Sequence, residues 1–114
     1  MSNPAKAKGT AFESAIRDYL VEQGIPAYRP AQAGSKDVGD LHGVSPFILQ
    51  AKNYRDLASA LRDGVDGAAK QHVNAKERWG AAVIKRSRRS TKDAYVVMDL
   101  ETFAEVLAEL RRPV

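Results

Sequence analysis

The chain contains no cysteine, so neither a disulfide framework nor a thiolate metal site can form, and nothing points to an oxidising compartment. It also lacks any uninterrupted apolar run near the roughly 18 residues needed to cross a bilayer. Its opening, MSNPAKAKG, is polar and basic and has no apolar stretch behind it, unlike a secretory leader. A cytoplasmic protein without a membrane anchor is expected. No internal repeat, low-complexity tract or long linker interrupts the 114 residues. That length fits one domain over 1–114, with a flexible basic start over 1–8, and a domain of this size buries about 65% of the surface its unfolded chain exposes. One modest core follows, held by packing alone.

Acid is missing from one stretch in particular. In KRSRRSTK, Lys85 to Lys92, five of eight residues are basic and none is acidic, although the whole chain carries only +4. A local positive surface follows, either a solvated loop or a site for a polyanion.

Apolar spacing supplies the elements. Phe12, Ile16, Tyr19 and Leu20 recur with helical period and Gly24 follows as a stop, which predicts a helix over 10–23. Pro26, Pro30 and Gly34 break the next segment, leaving a short extended piece around Ala27 to Arg29 and then a loop. VGDLHGV and PFILQAK read as two strands about a tight turn near Val44 to Pro46, and so as a hairpin. From Asp56 to Trp79 a stripe of Leu57, Leu61, Val65, Ala68, Ala69, His72 and Val73 predicts a second helix, interrupted by Gly64 and Gly67. AAVIK and AYVVM are β-branched strands on either side of the basic loop. Asp99 can cap a last helix whose Leu100, Phe103, Val106, Leu107 and Leu110 share a face. Helices interleaved with a small mixed sheet indicate an α/β or α+β domain.

Side chains alternate along a strand, so in PFILQAK Ile48, Gln50 and Lys52 point one way while Phe47, Leu49 and Ala51 point the other. If the hairpin turns symmetrically about Ser45, Asp40 faces Gln50 within about 5 Å at Cβ, and Lys52 is their diagonal neighbour. A carboxylate, an amide oxygen and an ammonium then converge at one end of the hairpin. Carboxylate and neutral oxygens suit a hard cation such as Mg²⁺, and a lysine can orient or deprotonate a nucleophilic water, as phosphodiester hydrolysis requires. The competing reading is a cross-strand Asp–Lys ion pair beside a surface glutamine, worth about 0–1 kcal/mol.

GDLHGVSPFILQAK resembles the core of the PD-(D/E)xK nuclease superfamily, in which an Asp on one strand of a hairpin is followed on the next by an acid, any residue and a Lys. The match falls at Asp40, Gln50 and Lys52. KGTAFESAIRDYLVEQGIPAYR resembles the opening helix of that superfamily's Holliday junction resolvases, which places Glu13 at the metal site, and AGSKDVGD is similar to the resolvase loop that carries a serine, here Ser35. The similarity runs from Lys8 to about Val97. It implies an α/β fold with a restriction-endonuclease-like αβββαβ core, a small mixed sheet flanked by helices. It implies a metal-dependent, structure-selective DNA endonuclease, a Holliday junction resolvase acting on a four-way junction as a homodimer. Flap or modified-DNA cleavage on the same fold, and a catalytically inactive DNA-binding protein, are the alternatives. Mg²⁺, with Mn²⁺ as substitute, would be held by Asp40, Gln50, Glu13 and the backbone carbonyl of Ala51, with Lys52 serving the attacking water.

The chain departs from the family pattern twice. Gly39 stands in place of the proline, which only shapes the strand. Gln50 stands in place of the acid and removes a charge from the metal shell, a variant found among restriction enzymes directed at modified DNA. Glu13 has competing roles, as the far end of a Thr10-x-x-Glu13 capping box or as a partner of Arg17. Gln71 resembles a glutamine that some relatives place near the metal, against a solvated helix face. His42 shares the alternation of Asp40, against a plain surface position, and His72 fits the boundary of the core. Trp79 at the end of the second helix is expected to pack in the core, and Tyr28 and Arg29 either touch DNA or end a strand. Lys36, Lys85, Arg86, Arg88, Arg89 and Lys92 would contact phosphates, which gives affinity without sequence readout. The apolar stripes of the second and last helices are where a dimer surface is expected.

Overall fold

A computed structural model describes residues 4–31 and 36–113. In chain order the elements are α1 (Pro4–Glu22), β1 (Phe47–Lys52), α2 (Leu57–Asn74), β2 (Trp79–Ile84), a single 3₁₀ turn (Thr91–Asp93), β3 (Tyr95–Val97) and α3 (Leu100–Leu110). The result is an α/β domain with a small mixed sheet in the order β1-β2-β3. β1 and β2 run parallel, with Phe47 beside Trp79 and Lys52 beside Ile84. β2 and β3 are antiparallel. A parallel pair needs a long crossover, and α2 provides it.

Alternation along the strands assigns a helix to each face. Val83, Leu49 and Ala51 pack with Leu41 against Phe12, Ile16 and Leu20 of α1, while Ala82 and Ile84 pack against Ala60 and Leu61 of α2. α1 starts at Pro4, six residues before the expected Thr10. It stops as expected at Gly24, whose φ of +83° suits a residue without Cβ; there the amide of Ile25 reaches back to the Leu20 carbonyl at 2.9 Å.

Two expectations about α2 fail together. The helix is continuous, capped by the Asp56 carboxylate on the Ala58 amide, and its buried face is Ala60, Gly64, Ala68 and Gln71, while Leu57 and Val73 stay exposed. Its glycines are contact points and not breakers. A Cβ on Gly64 would lie 2.8 Å from that of Ala82, and one on Gly67 would collide with the Gln50 amide. The helix therefore lies against the sheet closer than larger side chains would allow. Trp79, expected at the end of the helix, opens β2 instead, buried and tilted against the Phe47 ring at 5.2 Å.

The hairpin is shorter than its sequence suggests. Symmetry about Ser45 is kept, since Leu41 pairs with Leu49, but that pair is an isolated bridge. A second bridge, Tyr28 to His42, marks the extended piece expected near Ala27. Among the described residues no helix is long and apolar enough to cross a membrane.

Candidate metal and nucleic-acid site

The amides of Asp40 and Leu41 both donate to the Leu49 carbonyl, at 3.0 and 3.1 Å, and the Leu49 amide donates to the Leu41 carbonyl at 3.2 Å. Two residues thus oppose one, which is a β-bulge, a device that re-aims a side chain. Its local cause is upstream. Gly39 has φ +94°, a conformation that favours glycine, and its amide is held by the Asp37 carboxylate at 3.0 Å. The carboxylate of Asp40 consequently turns along the sheet edge, where Oδ2 accepts from the Ala51 amide at 2.8 Å. This corrects the expectation that Asp40 stands squarely opposite Gln50. Among the described residues Asp40 makes no ion pair with Lys52, so the plain salt-bridge reading fails as well.

β1 sorts its polar groups by direction. Pro46 and Lys52 give their carbonyls to Trp79 and Lys85 in and beside β2, at 3.1 and 3.0 Å, whereas Leu49 and Ala51 turn their backbones to the Asp40 side. Along a parallel strand the amide and carbonyl of one residue point the same way, so the Ala51 carbonyl shares the edge with the Asp40 carboxylate. The side chains of Gln50 and Lys52 descend towards α2, where each meets a glycine, Gly67 and Gly64 respectively. Gln50 is 8% exposed, and its Oε1 is buried without a hydrogen-bond partner. The Lys52 ammonium donates to the Tyr54 hydroxyl at 3.1 Å and lies 5.1 Å from that ring's centre.

Burial pushes the Asp40 carboxyl above its usual range; the Ala51 N–H opposes this, the Glu13 and Asp37 charges add to it, and Lys52 offsets part. Asp40 therefore senses two acids and one cation. Glu13 sits mid-helix, so the capping box with Thr10 does not exist, and Arg17 pairs with Asp18 at 3.0 Å. Both competing roles for Glu13 fall away, and a third replaces them: its carboxylate is 3.1 Å from the guanidinium of Arg29, which also reaches the Ser14 hydroxyl.

Asp37 and Asn74 were missed by sequence reasoning, whereas Gln71 was singled out with a solvated helix face as its competing role. Gln71, expected on a solvated face, is 1% exposed and donates to Asp37 Oδ2 at 2.7 Å, while Asn74 donates to the Asp37 carbonyl at 2.9 Å. α2 thus clamps the turn that aims Asp40. The available signal was Asp37-x-Gly39, a short acid two residues before a glycine, which favours a turn closed by its own side chain.

The other candidates divide. His42 is turned away, its Nε2 2.6 Å from the Val38 carbonyl and its ring against Tyr28. His72 is half-buried, with Nδ1 3.0 Å from the Glu77 carbonyl. Lys36 is exposed, and Ser35 lies outside the described residues. The basic loop leaves β2 beside Lys52, at the carboxyl ends of the two parallel strands. Within it Arg89 pairs with Asp93 at 3.3 Å, Arg86 stacks over Tyr95 and Lys85 reaches the Arg86 and Arg89 carbonyls. Arg88 and Lys92 are exposed and make no ion pair among the described residues.

No family model, curated protein or solved structure matches the chain. Among the described residues no three His, Cys, Asp or Glu side chains group closely enough to hold a metal ion. A cation here would draw on oxygens of other kinds. The Asp40 carboxylate and the Ala51 carbonyl fit a hard cation as they stand, and it is burial first, then the Glu13 and Asp37 charges, that raises the Asp40 carboxyl. Gln50 fits only after its amide swings from Gly67, and Glu13 only in competition with Arg29.

Proposed function

We propose that this chain is a metal-dependent, structure-selective DNA endonuclease with a restriction-endonuclease-like core, acting on branched DNA such as a four-way junction. The observation that carries the reading is the bulge at Asp40, which sets a carboxylate and a backbone carbonyl on one sheet edge with Lys52 at the same strand end. The bridges at Tyr28, His42 and Leu41 lie where the αβββαβ core has its first strands, and so favour that fold.

Each residue then has a distinct task. Asp40 and Ala51 would hold Mg²⁺, which when bound polarises the phosphate and acidifies a coordinated water. Asp37, clamped by Gln71 and Asn74, keeps Asp40 on the edge. Lys52 emerges from the α2 face with its ammonium beside Tyr54, placed to orient the attacking water or take its proton. Glu13 joins the acids on the α1 side, its carboxylate paired with the guanidinium of Arg29. Arg88 and Lys92, with their charges unspent, meet the phosphate backbone near the strand ends and read shape, not sequence.

The test is cleavage of end-labelled four-way junction, flap and linear duplex of matched sequence, with Mg²⁺ or EDTA. Paired nicks in the junction that disappear with EDTA, and that Lys52→Ala slows by about 10²–10⁴-fold, are expected. Cutting of the flap alone would move the substrate. Binding without any cutting would make the chain a DNA-shape binder.

A further inference from the structure

Two exposed tyrosines stand at one end of the sheet, each beside a cation. Tyr54 and Tyr95 are both 42% exposed. The Lys52 ammonium donates to the Tyr54 hydroxyl and lies 5.1 Å from that ring's centre, and the Arg86 guanidinium lies 4.7 Å from the centre of the Tyr95 ring. Neither cation makes an ion pair among the described residues. A single exposed tyrosine is ordinary, and Tyr28, also exposed, lies against the His42 ring instead. What sets Tyr54 and Tyr95 apart is that both are paired with a cation and share a place.

The strand register defines that place. Lys52 is the partner of Ile84, and Ile84 is the partner of Tyr95, so the three residues form one row across the sheet. β1 and β3 stand two strand spacings apart, about 10 Å. The basic loop runs from the end of β2 to Tyr95, and its exposed Arg88 and Lys92 rise from the same end. Aromatic rings interleaved with cations are how proteins hold a single nucleic-acid strand, with bases stacked on the rings and phosphates on the charges. Bases inside a duplex are stacked about 3.4 Å apart and cover one another's faces. Rings set about 10 Å apart therefore serve bases that have left the stack.

We propose that this end of the sheet binds an unpaired stretch of DNA, with Tyr54 and Tyr95 as its stacking platforms and Arg88 and Lys92 on its phosphates. Lys52 ties the track to the reaction, because the ammonium that serves the water also holds the Tyr54 hydroxyl. The favoured substrate then carries unpaired bases beside the cleaved phosphate, as a flap, a splayed arm or a gapped branch does and a fully paired duplex does not. This inference rests on the nucleic-acid reading of the basic loop and not on the metal at Asp40.

Fluorescence anisotropy of the full chain in EDTA, with labelled oligothymidylate and labelled duplex, tests this apart from cleavage. The wild type should bind the single strand, and Tyr54→Leu and Tyr95→Leu, with unchanged far-UV circular dichroism, should each weaken that binding about ten-fold more than they weaken duplex binding. Tyr54→Phe should retain it, because the ring and not the hydroxyl carries the stack. Equal losses on single strand and duplex, a Tyr54→Phe loss as large as that of Tyr54→Leu, or no single-strand binding by the wild type would each overturn the proposal. A chain that binds the single strand through both rings yet cuts nothing in Mg²⁺ would keep it and remove the nuclease reading. One that cuts flap and paired junction alike, and just as well in Tyr95→Leu, would do the reverse.

Discussion

Asp40 gains its position from a side chain three residues earlier. The Asp37 carboxylate holds the Gly39 amide, Gly39 adopts a left-handed conformation, and Asp40 turns onto the sheet edge. Burial and the adjacent acids hold its carboxyl above the usual range, and the sign of the consequence follows by linkage. The native state keeps the Asp40 proton more tightly than the unfolded chain does, so stability is lost as pH rises from the ordinary carboxylate range through the raised value. Asp40→Asn keeps an acceptor for the Ala51 amide and removes that charge. In EDTA at neutral pH it should melt above the wild type, with the gap closing below the ordinary carboxylate range. A wild type equally stable at neutral pH would show that the burial is not costly. Of the two roles the sequence left open for Gln71, the solvated face is the one that fails. A glutamine on a polar-looking helix reads as solvated, and only the arrival of Asp37 from the chain 34 residues earlier gives its amide a partner.

At the scale of elements, α2 was legible as a helix and illegible in its orientation. Leu57, Leu61, Val65 and Val73 form the stripe that hydrophobicity selects, yet the face against the sheet is made of alanine and glycine. Small residues carry little hydrophobic signal, and their use here is to admit close approach. Gly67→Ala should therefore cost about 1–3 kcal/mol, the range for overpacking a filled site, and the loss should shrink when Gln50 is also truncated, because the two changes share one space. Additive losses in denaturant melts of the double variant would contradict the contact. The hairpin shows the reverse pattern: turn symmetry and alternation made the Leu41–Leu49 register readable, while the bulge beside it depends on a side-chain cap that alternation does not encode. The basic loop was legible as charge, but its pairing was not. Arg86 and Arg89 are occupied by Tyr95 and Asp93, so Arg88 and Lys92 carry the free charge. Arg88→Ala with Lys92→Ala should lower DNA affinity for every sequence alike and reduce the slope of log affinity against log salt by about two. An unchanged slope would place the phosphates elsewhere.

At the scale of the molecule, a three-stranded sheet with a helix on each face brings four things to one end: the carboxylate edge, Lys52, the ends of two parallel strands and a basic loop. Open α/β sheets commonly bind ligands beyond the carboxyl ends of their strands, and here that end also carries the basic loop. The α/β class was readable from the alternation of helical and strand periods. How the acids meet was not, because α1 and the Asp37 turn approach the edge from opposite layers, through contacts far apart in the chain. The account rests on that edge holding a divalent cation, and electron paramagnetic resonance of added Mn²⁺ measures this without reference to DNA. One Mn²⁺ per chain, displaced by Mg²⁺ and lost in Asp40→Asn while Lys52→Ala retains it, is the predicted result. Binding that survives Asp40→Asn, or no binding by the wild type at millimolar Mn²⁺, would contradict the account.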